Sequence, residues 1–159
     1  MEPHTYHDPL TGISNRRFFV DALEIQRERC RTIGDNCAIL FVEIDKLKTI
    51  NDTFGREAGD ALLSRVAKIL ADHIREADVV ARIGGDEFGL LFPHLNGDQI
   101  EDKIDFLFAQ LAGERLVHAG QDIPVAASIA YCCMGPQDTI DGLMSRIDFM
   151  TYRAKSFAA

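Results

Sequence analysis

The sequence predicts an α/β fold, with helices packed around an antiparallel or mixed sheet. Residues 37–44 are almost all apolar, which is typical of a central strand buried on both faces. Two further short apolar runs flank Gly84-Gly85-Asp86 and predict a hairpin, since Gly tolerates the positive φ that such turns need. Longer amphipathic stretches before and after these strands predict helices that cover the sheet.

The N-terminal half is expected to hold three helical segments around the central strand. A helix capped by Ser14 or Asn15 runs to about Thr32, and a short helical stretch after the strand ends near Phe54. Asp60 is then expected to cap a strong amphipathic helix. Its apolar side chains recur at helical spacing, at Leu63, Val66, Ala67, Leu70 and Ile74.

The C-terminal half supplies the remaining strands and two helices. The hairpin is expected to consist of strands over residues 78–83 and 87–92. The pattern after it predicts a helix over 96–118, a strand over 123–133 and a final helix over 139–155.

Length and composition limit the class of protein. A chain of 159 residues is expected to form a single domain, 1–159, and its net charge of −8 argues against a broad nucleic-acid surface. No apolar run approaches the roughly 20 residues of a membrane span, and the N-terminus does not resemble a secretory signal. The cysteines lack paired zinc spacing and are expected to be buried, reduced thiols: Cys30, Cys37, Cys132 and Cys133.

Acidic residues stand at the ends of two predicted strands. Glu43 and Asp45 end the central strand, and Asp86 and Glu87 lie at the tip of the hairpin. If the hairpin lies beside the central strand, these carboxylates converge on a site suited to Mg²⁺, which binds one or two carboxylates together with substrate phosphates. The alternative is that they are solvated turn residues at two unrelated strand ends.

The string Arg82-Ile83-Gly84-Gly85-Asp86-Glu87-Phe88 resembles the motif that names the GGDEF family, the diguanylate cyclases. Residues 8–17 look like the N-terminal motif of that family, residues 41–62 like its second block, and Ala154-Lys155 like the start of its last. The resemblance implies a nucleotidyl-cyclase-like fold, with helices flanking a central, mostly antiparallel five-stranded sheet.

The resemblance also implies roles for individual residues at the hairpin and strand end. Asp86 is implied as a metal ligand and as the candidate base near the attacking 3′-hydroxyl, with Glu87 supporting the metal cluster. Glu43 occupies the position of the metal-binding Asp, and the Ile44 carbonyl is a further implied ligand for Mg²⁺ or Mn²⁺. Gly84 and Gly85 are implied to let the backbone approach the nucleotide closely.

Further residues are implied to bind the substrate. Asn51 and Asp60 occupy the positions that read guanine, a base whose N–H donors suit a carboxylate and whose acceptors suit an amide. Without the resemblance, the favoured interpretation is that Asp60 is a helix N-cap and Asn51 a residue at a helix end. Lys48 and Lys155 are the implied phosphate contacts.

Arg75 and Asp78 form an RxxD string that ends shortly before Gly84. At this offset the string resembles the family's inhibitory product-binding site, where Arg can pair with a guanine edge or a phosphate. The alternative is a local ion pair at a helix end.

The implied activity is the condensation of two GTP into cyclic di-GMP and pyrophosphate, with product inhibition through the RxxD site. Because each domain supplies one half-site, a homodimer is expected for catalysis. The domain is expected to belong to a larger sensor or regulator protein with an upstream sensory or receiver domain. GTP and its product are cytosolic, so a cytoplasmic location is expected, with no membrane segment and no nucleic-acid partner.

The sequence departs from the family pattern at several positions. Glu43 replaces the usual Asp and is one methylene longer, and Gly-Arg-Asn is absent after Lys155. Other departures are Leu47 for Phe, Arg56 for His and Ala130 for Gly. These differences favour, as an alternative, a weakly active or inactive receptor for GTP or cyclic di-GMP. A purely structural or dimerisation module is a second alternative.

Overall fold

The computed structural model of the chain describes residues 6–145 and 151–155, the second segment by its backbone alone. Within these residues the helices are α1 (Arg16–Ile33), α2 (Leu47–Phe54), α3 (Arg56–Asp72), α4 (Gly97–Ala112) and α5 (Ile140–Ser145). The strands are β1 (Ser14–Asn15), β2 (Cys37–Ile44), β3 (Val79–Arg82), β4 (Glu87–Pro93), β5 (Leu116–His118), β6 (Gln121–Ile123), β7 (Ala127–Cys133) and β8 (Thr151–Lys155).

The main sheet has the strand order β1-β3-β4-β2-β7-β8. All neighbouring pairs are antiparallel except β1 and β3, which are parallel. The prediction of a central, mostly antiparallel five-stranded sheet flanked by helices is confirmed, with the two-residue β1 as an additional edge strand. A separate hairpin pairs β5 with β6. None of the helices in the described segments is long and apolar enough to cross a membrane.

The side chains of β2 alternate between two apolar clusters, because successive residues of a strand point to opposite faces. Leu40 and Val42 pack with α3 and α4, whereas Ile39 and Phe41 pack with α1 and α5. Every residue of β2 except Glu43 is buried. The apolar run therefore marks the central strand, and its one exposed side chain marks the end at which polar groups collect.

The helix α1 begins and ends as its sequence indicates. The Asn15 side chain accepts a hydrogen bond from the Phe18 backbone N–H at 3.0 Å, and Gly34 ends the helix in the left-handed conformation, with φ 72°. Asn15, one of the two predicted caps, is therefore the observed one. α1 is held close to the sheet at Gly89, where a Cβ atom would lie only 2.8 Å from the ring of the buried Phe19.

Several predicted boundaries are wrong for identifiable reasons. Asp60 does not cap a helix, because α3 already begins at Arg56 with Gly55 as its N-cap. The predicted helix over 96–118 ends at Ala112, and residues 116–118 form a strand instead. The predicted strand over 123–133 is split at Pro124, which has no N–H to donate to a ladder.

The predicted final helix over 139–155 is also wrong in part. Only Ile140–Ser145 is helical, residues 146–150 lie outside the described residues, and Thr151–Lys155 forms β8 against β7. Thr and Tyr at the start of β8 favour extended structure, and the edge of β7 offers backbone groups with which to pair.

The expectation of buried thiols holds for Cys30 and Cys37, which are 4% and 1% exposed. It is wrong for Cys133, which is exposed, and for Cys132, which is partly exposed, because both lie towards the end of β7. All four cysteines are free of disulfides.

Candidate functional site at the ends of the central strands

The end of β2 lies directly beside the hairpin that joins β3 to β4. The Ile44 backbone N–H donates a 2.8 Å hydrogen bond to the Asp86 carbonyl oxygen. In the same ladder Glu43 is paired with Glu87 on one side and with Ser128 of β7 on the other. The strand end and the hairpin tip are therefore adjacent, which is the condition for their carboxylates to converge.

The pairing of Glu43 with Glu87 has an electrostatic consequence. Like charges placed directly opposite each other in an antiparallel pair destabilise the sheet, and a bound cation offsets such repulsion. Both carboxylates and the neighbouring carbonyl groups are hard oxygen donors of the kind that Mg²⁺ prefers. Within residues 6–145 and 151–155, no group of three or more His, Cys, Asp or Glu side chains is placed to hold a metal ion. The donor set therefore fits a cation held by few carboxylates, with the remaining ligands supplied by carbonyl groups, water or substrate.

The second carboxylate of β2's end, Asp45, is fixed by β7. Its Oδ1 accepts a 2.9 Å hydrogen bond from the Ser128 hydroxyl, and its backbone N–H donates to the Ala126 carbonyl at 2.9 Å. A cavity of about 450 Å³ opens beside it and is lined by Glu43, Asp45, Lys46, Thr49, Ile50, Phe54, Pro124 and Ala126. Lys46, at the start of α2, has the left-handed φ of 56°.

The loop between β3 and β4 does not use its glycines as predicted. Neither Gly84 nor Gly85 has a positive φ. Both the Ile83 and the Gly84 backbone N–H groups donate to the Glu87 carbonyl oxygen, at 3.0 Å and 3.3 Å. A Cβ atom at Gly85 would meet no other atom within 4 Å, so the space beside this residue is open to an incoming molecule.

The hairpin is braced from outside by the N-terminal motif. The Arg82 guanidinium donates to the Gly85 carbonyl at 2.8 Å and forms an ion pair with Asp8 at 3.3 Å. Arg16 donates to the Ile83 carbonyl at 3.4 Å, and Asp8 also accepts hydrogen bonds from the Thr11 backbone and hydroxyl. The sequence motifs contain these residues, but no role was predicted for them, because the contacts of Arg82 with Asp8 and of Arg16 with Ile83 join residues 74 and 67 positions apart in the chain.

Asn51 and Asp60 lie on consecutive helices that meet at Gly55. Asn51 is in α2 and Asp60 in the second turn of α3, and both are partly buried. Because Asp60 lies inside α3, the alternative interpretation of this residue as a helix N-cap is wrong. The Asn51 Oδ1 atom is buried and lacks a hydrogen-bond partner among the described residues.

The two lysines implied as phosphate contacts are placed differently. Lys48 is exposed on α2, within five residues of Glu43 along the chain. The backbone of Lys155 ends β8, where it pairs with Ala127 at the start of β7. Lys155 therefore lies at the same end of the sheet as the close of β2, since Ala127 also pairs with Ile44.

The RxxD string forms a closed ion pair at the start of β3. The Asp78 side chain has no exposed surface, and it accepts hydrogen bonds from the Arg75 backbone N–H at 2.7 Å and from its guanidinium at 2.7–3.1 Å. The hydrogen bond to Asp78 raises the pKa of Arg75. The guanidinium also donates to the Pro93 carbonyl at 2.7 Å, yet half of the Arg75 side chain remains exposed.

Lys103 and the exposed ring of Phe106 lie next to the Arg75–Asp78 ion pair. Lys103 donates to the His73 carbonyl and lies 5.5 Å and 5.6 Å from the ring centres of Phe92 and Phe106, and burial lowers the pKa of Lys103. The cavity here has a volume of about 410 Å³ and is lined by Arg75, Asp78, Phe92, Leu95, Gln99, Asp102, Lys103 and Phe106.

The sequence matches curated proteins over nearly all of its length. It is 31% identical over 151 residues to the probable diguanylate cyclase DgcE of Escherichia coli (strain K12), covering 94% of this chain and 14% of DgcE. It is 32% identical over 157 residues to the response regulator PleD of Caulobacter vibrioides, covering 94% of this chain and 34% of PleD. The chain thus spans between about a seventh and a third of the length of these relatives.

Solved structures share the fold. The GGDEF domain of DgcB from Caulobacter crescentus, in complex with c-di-GMP, has a TM-score of 0.87 at 23% identity, covering 94% of this chain and 86% of that one. A sensory box/GGDEF family protein from Caulobacter crescentus CB15 has a TM-score of 0.80 at 30% identity, with coverages of 92% and 95%. The profile described as "Diguanylate cyclase, GGDEF domain" matches residues 5–158. With this match across the hairpin, the strand end and the N-terminal brace, the chain belongs to the GGDEF domain family of diguanylate cyclases.

Proposed function

We propose that this domain is a diguanylate cyclase that condenses two GTP into cyclic di-GMP and two pyrophosphates. In each of two steps, a ribose 3′-oxygen loses its proton and bonds to the α-phosphorus of the other GTP, and the bond to pyrophosphate breaks. The observation that carries the proposal is the hydrogen bond from the Ile44 N–H to the Asp86 carbonyl, which joins the strand end to the hairpin of the family motif.

In this proposal the hairpin and the strand end hold the reacting groups. Asp86 accepts the proton of the 3′-hydroxyl, with Glu87 beside it. Glu43, the Ile44 carbonyl and Asp86 would hold Mg²⁺ or Mn²⁺, which supplies positive charge to the phosphates and makes the 3′-hydroxyl more acidic. The Glu43–Glu87 register supports this assignment, because two like charges side by side favour a cation.

The remaining roles concern binding of the substrate. Asn51 and Asp60 bind the guanine base, and the partial burial of both residues on the consecutive helices α2 and α3 is consistent with this. Lys48 and Lys155 contact the phosphates. Gly84 and Gly85 let the nucleotide lie against the hairpin backbone, and the open space beside Gly85 supports this role.

The domain acts as one half of a homodimer, because each protomer binds one of the two reacting GTP molecules. An upstream sensory or receiver domain of a longer cytoplasmic protein would control how often two such domains meet, by raising their effective concentration. The short coverage of the relatives, such as 34% of PleD, supports a longer protein.

We further propose that cyclic di-GMP inhibits the domain by binding at Arg75 and Asp78. The exposed half of Arg75 and the adjoining cavity of about 410 Å³ support this role. The Asp78 carboxylate is fully buried in its pair with Arg75. The product must therefore either bind Arg75 while the ion pair stays intact or break the ion pair in order to reach Asp78.

A receptor that binds GTP or cyclic di-GMP without turnover is the second candidate. Glu43 favours it, since Mg²⁺ requires near-ideal octahedral geometry and this carboxylate is one methylene longer than the usual Asp.

The cyclase and the receptor are distinguished by incubating the protein at several concentrations with GTP and Mg²⁺ and analysing the nucleotides by chromatography. The cyclase predicts cyclic di-GMP at a rate that rises faster than linearly with protein concentration. The product should be lost in Asp86→Ala and retained in Asp98→Ala, an exposed acidic residue of α4. Binding of cyclic di-GMP without any product, abolished by Arg75→Ala, would establish the receptor instead.

A further inference from the structure

Gly59 is a buried glycine in the interior of α3. Gly disfavours a helix relative to Ala, so a glycine at such a position usually meets a packing or functional requirement. Gly59 does not have a positive φ, so its backbone conformation is open to other residues. The requirement is therefore one of space.

The space next to Gly59 is filled by the side chain of Asn51, which comes from α2. A Cβ atom built on Gly59 would lie 1.7 Å from Asn51 Oδ1 and 2.8 Å from its Cγ. Cβ atoms in proteins essentially never come within 3.0 Å of another side chain, so a side chain at position 59 would force the carboxamide to move. The Asn51 carboxamide thus occupies the volume that any side chain at position 59 would take, and the two residues are mutually dependent.

No hydrogen bond to the described residues fixes the oxygen of this carboxamide. Asn51 Oδ1 is buried and unpartnered there, which is unfavourable for a polar atom. Packing against Gly59 is what sets its position. Asp60 is the next residue of α3 after Gly59.

We propose that Gly59 is a positioning residue for nucleotide recognition: its missing side chain forms the notch that seats the Asn51 carboxamide next to Asp60. The proposal rests on the proposed function, in which Asn51 and Asp60 bind guanine, and it adds the residue that orients one of them. Gly59 itself touches no nucleotide in this arrangement. Its effect on recognition passes through Asn51.

The test measures the affinity of a non-hydrolysable GTP analogue and of the matching ATP analogue, both with Mg²⁺. In Gly59→Ala the new methyl displaces the carboxamide, and we expect the preference for the GTP analogue to fall about tenfold, the loss of roughly one hydrogen bond. Gly97→Ala is the matched control, because a Cβ atom at Gly97, the first residue of α4, meets no other atom within 4 Å. It should leave the preference unchanged.

Asn51→Ala separates positioning from folding. In the wild-type background, the clash should make Gly59→Ala lower the melting temperature. Ala at position 51 removes the atoms that clash, so Gly59→Ala should no longer lower it in the Asn51→Ala background. In that background Gly59→Ala should also have no further effect on the preference for the GTP analogue. Such non-additivity is expected when one residue acts only through the other.

The other outcomes are decisive in different ways. Equal losses of preference from Gly59→Ala in both backgrounds, or an unchanged preference in the single variant, would overturn the positioning role while leaving the cyclase proposal intact. A wild-type protein that binds neither analogue, or binds both equally well, would overturn the nucleotide assignment and the positioning role together.

Discussion

The Asp8 carboxylate and the Arg82 guanidinium meet at 3.3 Å, although 74 residues separate them in the chain. Both side chains are largely buried, at 14% and 19% exposure. Arg82 also holds the Gly85 carbonyl, so a single guanidinium ties the N-terminal motif to the tip of the hairpin. The geometry of the proposed catalytic loop thus depends on a segment that lies outside the sheet.

Arg82→Lys is expected to slow formation of cyclic di-GMP by about tenfold to a hundredfold, because Lys cannot hold Asp8 and the Gly85 carbonyl with one planar fork. The unfolding free energy should fall by about 1–3 kcal/mol. Product formation under saturating GTP measures the rate, and urea denaturation measures the unfolding free energy. Arg115→Lys is the control, since Arg115 pairs with Asp122 on the surface at 77% and 66% exposure. An Arg82→Lys enzyme with full activity would show that the brace does not position the hairpin.

Glu43→Asp is expected to lower the Mg²⁺ concentration needed for half-maximal turnover. The shorter side chain restores the reach that the family pattern uses, and Mg²⁺ tolerates little deviation from its octahedral geometry. The measurement is a Mg²⁺ titration of product formation at fixed GTP. Glu57→Asp, at an exposed position in the first turn of α3, serves as the control. A weaker response to Mg²⁺ in Glu43→Asp would mean that the longer carboxylate already fits its site.

Gly89→Ala is expected to lower the unfolding free energy by about 1–3 kcal/mol, the usual cost of overpacking a core. The added methyl would lie 2.8–3.1 Å from three ring atoms of Phe19, which is fully buried. Urea denaturation measures the change. Phe19→Leu in the Gly89→Ala background should recover part of the loss, whereas Gly85→Ala, with open space beside it, should cost little. Equal stability of Gly89→Ala and wild type would contradict the close packing of α1 on β4.

The cysteines are expected to react with a thiol reagent in two classes. Cys133 is exposed and should be labelled rapidly in the native protein. Cys30 and Cys37 should be labelled only as fast as the protein opens, because their burial in the core removes access of the reagent to both thiols. Mass spectrometry of timed samples, with and without urea, distinguishes the classes. Rapid native labelling of Cys37 would contradict its place in the core beneath α1.

The central strand and the hairpin could be predicted from local sequence because their signals are local. The apolar run of β2 and the glycines between β3 and β4 identify two elements, and the structure places both within one residue or so of the predicted bounds. Their adjacency could be stated only as a condition. It depends on a strand register, and register is set by packing between distant segments rather than by composition.

Other features could not be predicted because competing local signals pointed elsewhere. Asp60 has the side chain of a cap, but the helix-forming residues before it extend α3 back to Arg56. The hairpin of β5 and β6 turns at Ala119-Gly120, both with positive φ, and Ala gives little indication of such a turn. The contact between Gly59 and Asn51 involves no pattern at all, only the absence of a side chain.

The parallel pairing of β1 with β3 connects the chain ahead of α1 to the hairpin. Ser14 and Asn15 are in register with Ala81 and Arg82, so the chain before α1 runs alongside the strand that leads into the hairpin. A pull or a twist applied to residues ahead of β1 would load this short ladder and the hairpin before it reached the cores around β2. The hairpin is therefore the part of the sheet to which such a force would be transmitted first.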